Sequence, residues 1–141
     1  MNEFKNVSTI DRPPEAVWPV MSGVMRWPSW TPTVLSVEAL AEDDPAVGRS
    51  YRVCQPKLMP AVWTITEWKS GESFTWVSKS LGLTATGEHR VESDGKGGST
   101  VTLRVVFEGF LAPVIALLAG PLTRHYVEIE AQSLKEAVEA A

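Results

Sequence analysis

The sequence predicts an α+β domain: a curved seven-stranded antiparallel sheet wrapped around a long C-terminal helix, with two short helices between strands 1 and 2. Three observations carry this. From Thr33 onward, β-branched and aromatic runs alternate with turn-like separators. The C-terminal stretch is amphipathic with helical period. Between them and the N-terminus, Arg12 to Pro32 holds three of the chain's six tryptophans and five of its ten prolines in twenty-one residues.

Phe4 to Ile10 ends in β-branched residues and reads as the first strand. "RPPEAVW" reads as a helix start, because proline suits the first turn and Glu15 faces the positive end of the helix dipole. Val17, Trp18 and Met21 share one face, with Trp18 anchoring the helix in the core. Pro19 removes a backbone donor, so the helix should be short or bent, and Gly23 ends it. "MRWPSWTP" supplies one further helical turn between prolines.

Six strands follow: "VLSVEAL", "RSYRVCQ", "AVWTITEW", "SFTWVSK", "LTATGEHRVE" and "STVTLRVVFEG". Their short separators, among them "KSGE", "SLG" and "SDGKGG", imply antiparallel neighbours. Gly120-Pro121 is the expected start of the final helix. Arg124, His125, Glu128, Gln132, Lys135, Glu136 and Glu139 fall on its polar arc. Leu122, Tyr126, Val127, Ile129, Leu134, Ala137 and Val138 occupy the opposite arc, which must lie on something apolar.

At 141 residues, the chain reads as one domain spanning 1–141. A net charge of -4 argues against nucleic acid as a partner. Cys54 is the single cysteine, so no internal disulfide forms. "MNEFKNVSTI" lacks the apolar region of a signal peptide, and the longest apolar run, Phe110 to Leu122, is too short for a bilayer span. The expected location is the cytoplasm, with no integral membrane segment. Two histidines and one cysteine show no metal-ligand spacing, and no glycine-rich phosphate loop precedes a helix, so neither metal nor cofactor is expected. His125 falls on the polar arc, and Cys54 points outward by alternation.

The stretches "IDRPPEAVW", "WPSWTP", "GRSYRVCQP", "WTITEW", "SFTWVS" and "EHRVE", in this order and followed by a helical C-terminus, resemble the START/Bet v 1-like (SRPBCC) superfamily, in particular its polyketide cyclase/dehydrase-like group. The resemblance covers essentially the whole chain. It implies a helix-grip fold, in which the long helix closes a cavity against the sheet and the short helices help form its mouth. The family includes ligand carriers, lipid-transfer modules and aromatases or cyclases, so the resemblance implies a fold more sharply than a job.

Strand alternation nominates the cavity lining independently. Tyr51, Val53 and Gln55 share a face, as do Trp63 and Ile65, Phe74 and Trp76, and Val101, Leu103, Val105 and Phe107. Glu67 joins Trp63 and Ile65 only if its strand stays regular. Leu83 shares a face with Ala85, Gly87 and Val91, and His89 interrupts it. Leu122 and Tyr126 complete the lining from the helix. Trp27 and Trp30, on their proline-bounded turn, are expected as a stiff apolar rim beside "LAPVIALLAG". Ordinary core packing explains the same pattern and stands beside the cavity reading.

Glu130 lies inside the apolar arc between Tyr126 and Leu134, where a carboxylate is costly unless paired, hydrated or protonated. His89, Glu130 and Tyr126 are therefore the candidates for polar contact or acid–base work. The leading expectation is binding of a hydrophobic small molecule, lipid-like, aromatic or polyketide-like. The rival readings are a cofactor-independent cyclase, aromatase or dehydratase, and a peripheral lipid-handling protein whose Phe110 to Leu122 segment touches membrane. A homodimer is left open.

Overall fold

A computed structural model describes residues 2–42 and 44–141, and the expected order of elements is present. Strand β1 (Asn2–Ile10) leads into helix α1 (Pro14–Ser22) and a 3₁₀ helix (Val24–Ser29). Strands β2 (Ser36–Ala39), β3 (Ser50–Cys54), β4 (Ala61–Lys69), β5 (Ser73–Ser80), β6 (Leu83–Ser93) and β7 (Ser99–Glu108) follow, then helix α2 (Ala112–Ala140). The sheet order is β1-β7-β6-β5-β4-β3-β2, so each sequential hairpin is a spatial neighbour and β1 returns to pair with β7.

Local chemistry accounts for the breaks. Pro14 opens α1, Gly23 caps it, and with Pro19 inside it the helix lasts nine residues. In the β6–β7 turn, Asp94 Oδ1 accepts from the backbone N–H of Lys96 (2.7 Å) and Gly98 (3.0 Å). Those two donors hold its carboxyl below the usual carboxylate range.

Strand β4 does not stay regular. Its register with β5 shifts between Ile65 and Glu67, so Ile65 pairs with Trp76 while Trp68 pairs with Phe74. The extra residue, Thr66, turns Glu67 out to solvent and swings Trp68 inward onto Trp18 and Phe74.

The final helix begins earlier than Gly120-Pro121. It starts at Ala112, with Pro113 in its first turn, and continues through Pro121. Proline at the second site removes a single helical donor. The carbonyl it leaves, four residues back at Leu117, sits on an exposed turn. Packing of Ala112 and Gly120 before the proline and of Val127, Ala131 and Leu134 after it outweighs that loss.

Helix α2 lies along β1, β7 and α1. Gly120 admits the Phe4 ring, and the Lys135 ammonium donates to the Thr9 carbonyl (3.1 Å). The Asp11 N–H donates to Glu139 Oε2 (2.9 Å). The helix and β1 thus run in the same direction. Because the strands alternate, the β3–β4 loop, the β5–β6 turn and the β7–α2 link gather at one end of the sheet, here called the tip. The β1–α1 link, the β2–β3, β4–β5 and β6–β7 connections and the C-terminus of α2 gather at the opposite end, the base.

Candidate functional site

The concave face of the sheet carries the side chains that alternation assigned to it, but the interior has two unlike halves. Towards the base, aromatic rings close on one another. Phe74 and His89 face across β5 and β6 and stack, with centroids 4.2 Å apart and planes 7° from parallel. Trp76 meets His89 edge-on at 5.8 Å, and Trp27 covers both, at 5.2 Å from Trp76 and 5.4 Å from His89. Tyr51, Val53 and Ile65 are buried in the same cluster, and Phe107 is buried in a separate small core with Phe4, Ala85 and Ala112.

Trp27 corrects the sequence reading. It is not a rim residue: it is buried, and its indole N–H donates to the Met21 carbonyl at 3.1 Å. The 3₁₀ helix is short enough to drive that ring beneath α1, where its large apolar area is best satisfied. Trp30 packs against Trp27 and stays half-buried.

Towards the tip the lining is looser. Gln55, Trp63, Leu83, Val105, Leu122 and Tyr126 are only half-buried. All of them lie near strand ends, or in the half of α2, that face the tip. The Tyr126 hydroxyl donates to the Pro56 carbonyl, tying α2 to the β3–β4 loop. Two shallow surface depressions are present, the first at the tip beside the β7–α2 link and the second beside α1 and the 3₁₀ helix. One, of about 350 Å³, is edged by Asn2, Glu108 and Pro113; the other, of about 390 Å³, by Pro19, Met25 and Pro45.

His89 is 6% exposed and its Nδ1 has no hydrogen-bond partner. Burial is the larger influence on it and pushes its pKa down to about 4, with the Phe74 backbone offsetting only a part. The ring is therefore neutral at physiological pH. Glu130 behaves in the opposite sense: desolvation raises its carboxyl to about 7. The residue as a whole is only half-buried, so water still reaches part of it.

Register places these groups at one depth. Helix α2 passes Phe4 at Gly120 and Thr9 at Lys135, which sets Glu130 level with Asn6 to Ser8. Asn6 pairs with Leu103, and Leu103 with His89. No hydrogen bond or ion pair among the described residues joins Glu130 to His89 or to Tyr126. Their shared depth is the observation, and no preassembled triad exists.

Two further residues sit at this depth, and sequence reasoning passed over both. Asn6 Oδ1 and Ser8 Oγ are buried without partners on the face of β1 that also carries Phe4 and Ile10. The signal was available: in "FKNVSTI" every second residue faces the helix, and the two middle ones are polar. His125 is exposed on α2, and Cys54 is half-buried on the outward face of its strand. Among the described residues, no group of three His, Cys, Asp or Glu side chains is placed to hold a metal ion.

Residues 1–139 match the family described as polyketide cyclase / dehydrase and lipid transport. The chain belongs to that family. Its fold is the helix-grip fold of the Bet v 1 and START superfamily, as solved structures bear out. Ara h 8.0201 shares 17% identity with a TM-score of 0.76, the match covering 99% of this chain and 98% of that one. A START superfamily protein from Mycobacterium smegmatis shares 15% identity with a TM-score of 0.74, covering 98% and 97%. Norcoclaurine synthase from Thalictrum flavum, solved with dopamine and hydroxybenzaldehyde, shares 14% identity with a TM-score of 0.73, covering 98% and 86%. No curated protein sequence matches the chain. As a member of the polyketide cyclase / dehydrase and lipid transport family, the chain has no helix among its described residues long and apolar enough to cross a membrane.

Proposed function

We propose that this protein binds a hydrophobic small molecule carrying at least one polar group, held between α2 and the concave sheet. One observation carries the reading. At a single depth of an apolar interior, His89 Nδ1, Asn6 Oδ1 and Ser8 Oγ are buried without partners, and the half-buried Glu130 carboxyl lies level with them with no hydrogen-bond or ion-pair partner among the described residues. A buried polar atom left unpaired costs about 1–3 kcal/mol, so such a set favours a guest that supplies hydroxyl or carbonyl groups. The half-buried residues towards the tip supply its apolar contacts, and Trp63 and Trp76 offer ring faces.

Native mass spectrometry of the purified protein checks for a retained guest. Titration with palmitate and with a fused-ring phenol, read by quenching of the buried tryptophans, sorts lipid-like from aromatic ligands. Asn6→Leu should weaken the better ligand about tenfold and leave its deoxygenated analogue unaffected. Saturable quenching by neither ligand, with no retained guest, ends the reading.

A second reading rests on the titration of Glu130. A carboxyl held to about 7 is partly protonated near neutrality and can give a proton to a ligand carbonyl, while neutral His89 can accept one. That pair suits cofactor-independent cyclisation or dehydration, in which a proton leaves the carbon beside a carbonyl and a hydroxyl departs as water. The Tyr126 hydroxyl is engaged with Pro56, so its part is to hold the β3–β4 loop. Unchanged turnover of a polyketide-like substrate by His89→Ala and Glu130→Gln removes this reading and leaves binding intact.

A further inference from the structure

Large apolar side chains exposed to solvent are spread unevenly over this molecule. Leu58, Met59, Leu81, Phe110, Leu117 and Leu118 all project from the tip, and five of them are at least three-quarters exposed: Met59 85%, Leu81 86%, Phe110 75%, Leu117 79% and Leu118 76%. Backbone geometry presents them. Lys57 takes a φ of 66° in the β3–β4 turn, which turns Leu58 and Met59 outward. The Leu111 N–H donates to the Gly82 carbonyl at 2.9 Å, seating Leu81 beside Phe110. Along the outer stripe of α2, apolar residues give way after Pro121 to Arg124 and His125, and only then to Glu128.

Charge follows the same division. Lys57, Lys79 and Arg124 are exposed around the apolar crown without a carboxylate partner among the described residues, while of the exposed carboxylates at this end, Glu108 and Glu3, the second is ion-paired with Arg104. This is a cationic collar on a protein of net charge -4. The acidic excess lies elsewhere, including Asp11, Glu72, Glu92 and Asp94 at or near the base.

We infer that the tip docks on an anionic lipid bilayer, with the apolar crown entering the headgroup region and the three cations meeting lipid phosphates and carboxylates. Exposed leucines and a phenylalanine on loop ends, flanked by Lys and Arg, match what an interfacial membrane site requires. A second copy of the chain fits less well, because a two-fold contact through this end would set Lys57, Lys79 and Arg124 against their own copies. The inference deepens the proposed binding reading: the half-buried lining residues face the same end, so docking brings the ligand's route against the bilayer.

Flotation with vesicles of phosphatidylcholine, with and without about one-third phosphatidylserine, tests it. The wild type should float with the anionic vesicles and lose most binding between roughly 0.1 and 0.5 M salt. Leu117→Glu/Leu118→Glu should reduce partitioning more than about tenfold, and Lys57→Gln/Lys79→Gln about fivefold or more per cation removed. The four side chains are exposed, so melting temperatures should not move. No flotation of the folded wild type overturns docking, as does flotation indifferent to both double variants. A wild-type dimer in light scattering that Leu117→Glu/Leu118→Glu dissociates overturns it in favour of self-association. Palmitate and phenol titrations of the same variants read the internal site separately, so either conclusion can fail alone.

Discussion

At the scale of single residues, His89 and Glu130 pull stability in opposite directions with pH. The folded pKa of His89, about 4, lies below its ordinary 6.5, so the unfolded chain binds its proton first. Its contribution is complete above pH 6.5 and is lost as pH falls towards 4, by at most about 3 kcal/mol. The folded pKa of Glu130, about 7, lies above its ordinary 4.5, so its contribution is complete below pH 4.5 and is lost as pH rises through 7. Partial hydration reduces that loss to about 1–2 kcal/mol. Between pH 4.5 and 6.5 the two slopes oppose, and wild-type stability should rise with pH there only about half as steeply as His89 alone would impose. Glu130→Gln should stabilise the protein by about 1–2 kcal/mol at pH 8, leave it unchanged at pH 4, and expose the rising His89 slope between. Urea midpoints across that range check all three outcomes.

At the scale of elements, the link between β7 and α2 depends on backbone proximity. Gly109 has a φ of 111°, and a β-carbon there would lie 2.5 Å from the Gly82 carbonyl oxygen. Backbone on both sides leaves no side chain to yield. Gly109→Ala should therefore cost more than about 2 kcal/mol in urea denaturation, combining left-handed strain with the collision. Pro121 offers the reverse case. Its site is already helical and exposed, so Pro121→Ala restores the donor to Leu117 without disturbing a contact. A gain of about 1–2 kcal/mol in the same assay is expected, part of the helix benefit being offset by a freer unfolded chain.

At the scale of the whole molecule, packing is tight at the base and loose at the tip. The base half is sealed by α1, the 3₁₀ helix and the Trp27–Trp76–His89–Phe74 ring cluster. The tip half has its lining divided among loops and the first turns of α2, with Phe4, Ala85, Phe107 and Ala112 as a small separate core. A ligand bound only by the folded chain, at a hundred times its Kd, stabilises by about 2.7 kcal/mol. For a domain of this length that is a rise in melting temperature of about 5–10 °C, readable by calorimetry. A ligand that quenches the buried tryptophans without raising the melting temperature is not held by the native interior.

The fold was legible because its determinants are periodic: alternation in "SFTWVS" and "STVTLRVVFEG" assigned faces that Phe74, Trp76, Val101 and Leu103 keep, and of the polar arc of α2 Arg124, His125, Glu128, Gln132 and Glu136 face water, while Lys135 and Glu139 bond to the end of β1 and the residue after it. Glu130 and His89 stood out for the same reason, as polar residues interrupting an apolar face. Other features are invisible to a local pattern. Whether Pro121 begins a helix or sits within one depends on burial of turns on either side of it. Thr66 becomes a bulge, and Trp68 rather than Glu67 turns inward, because β5 offers Phe74 as a partner. Trp27 fills the core instead of a rim because α1 and the sheet leave a space of that shape. Sequence by itself determined which faces are apolar; tertiary structure decided which aromatic rings meet, which polar atoms stay unpartnered and which end stays loose, because those outcomes depend on segments distant along the chain competing for the same volume.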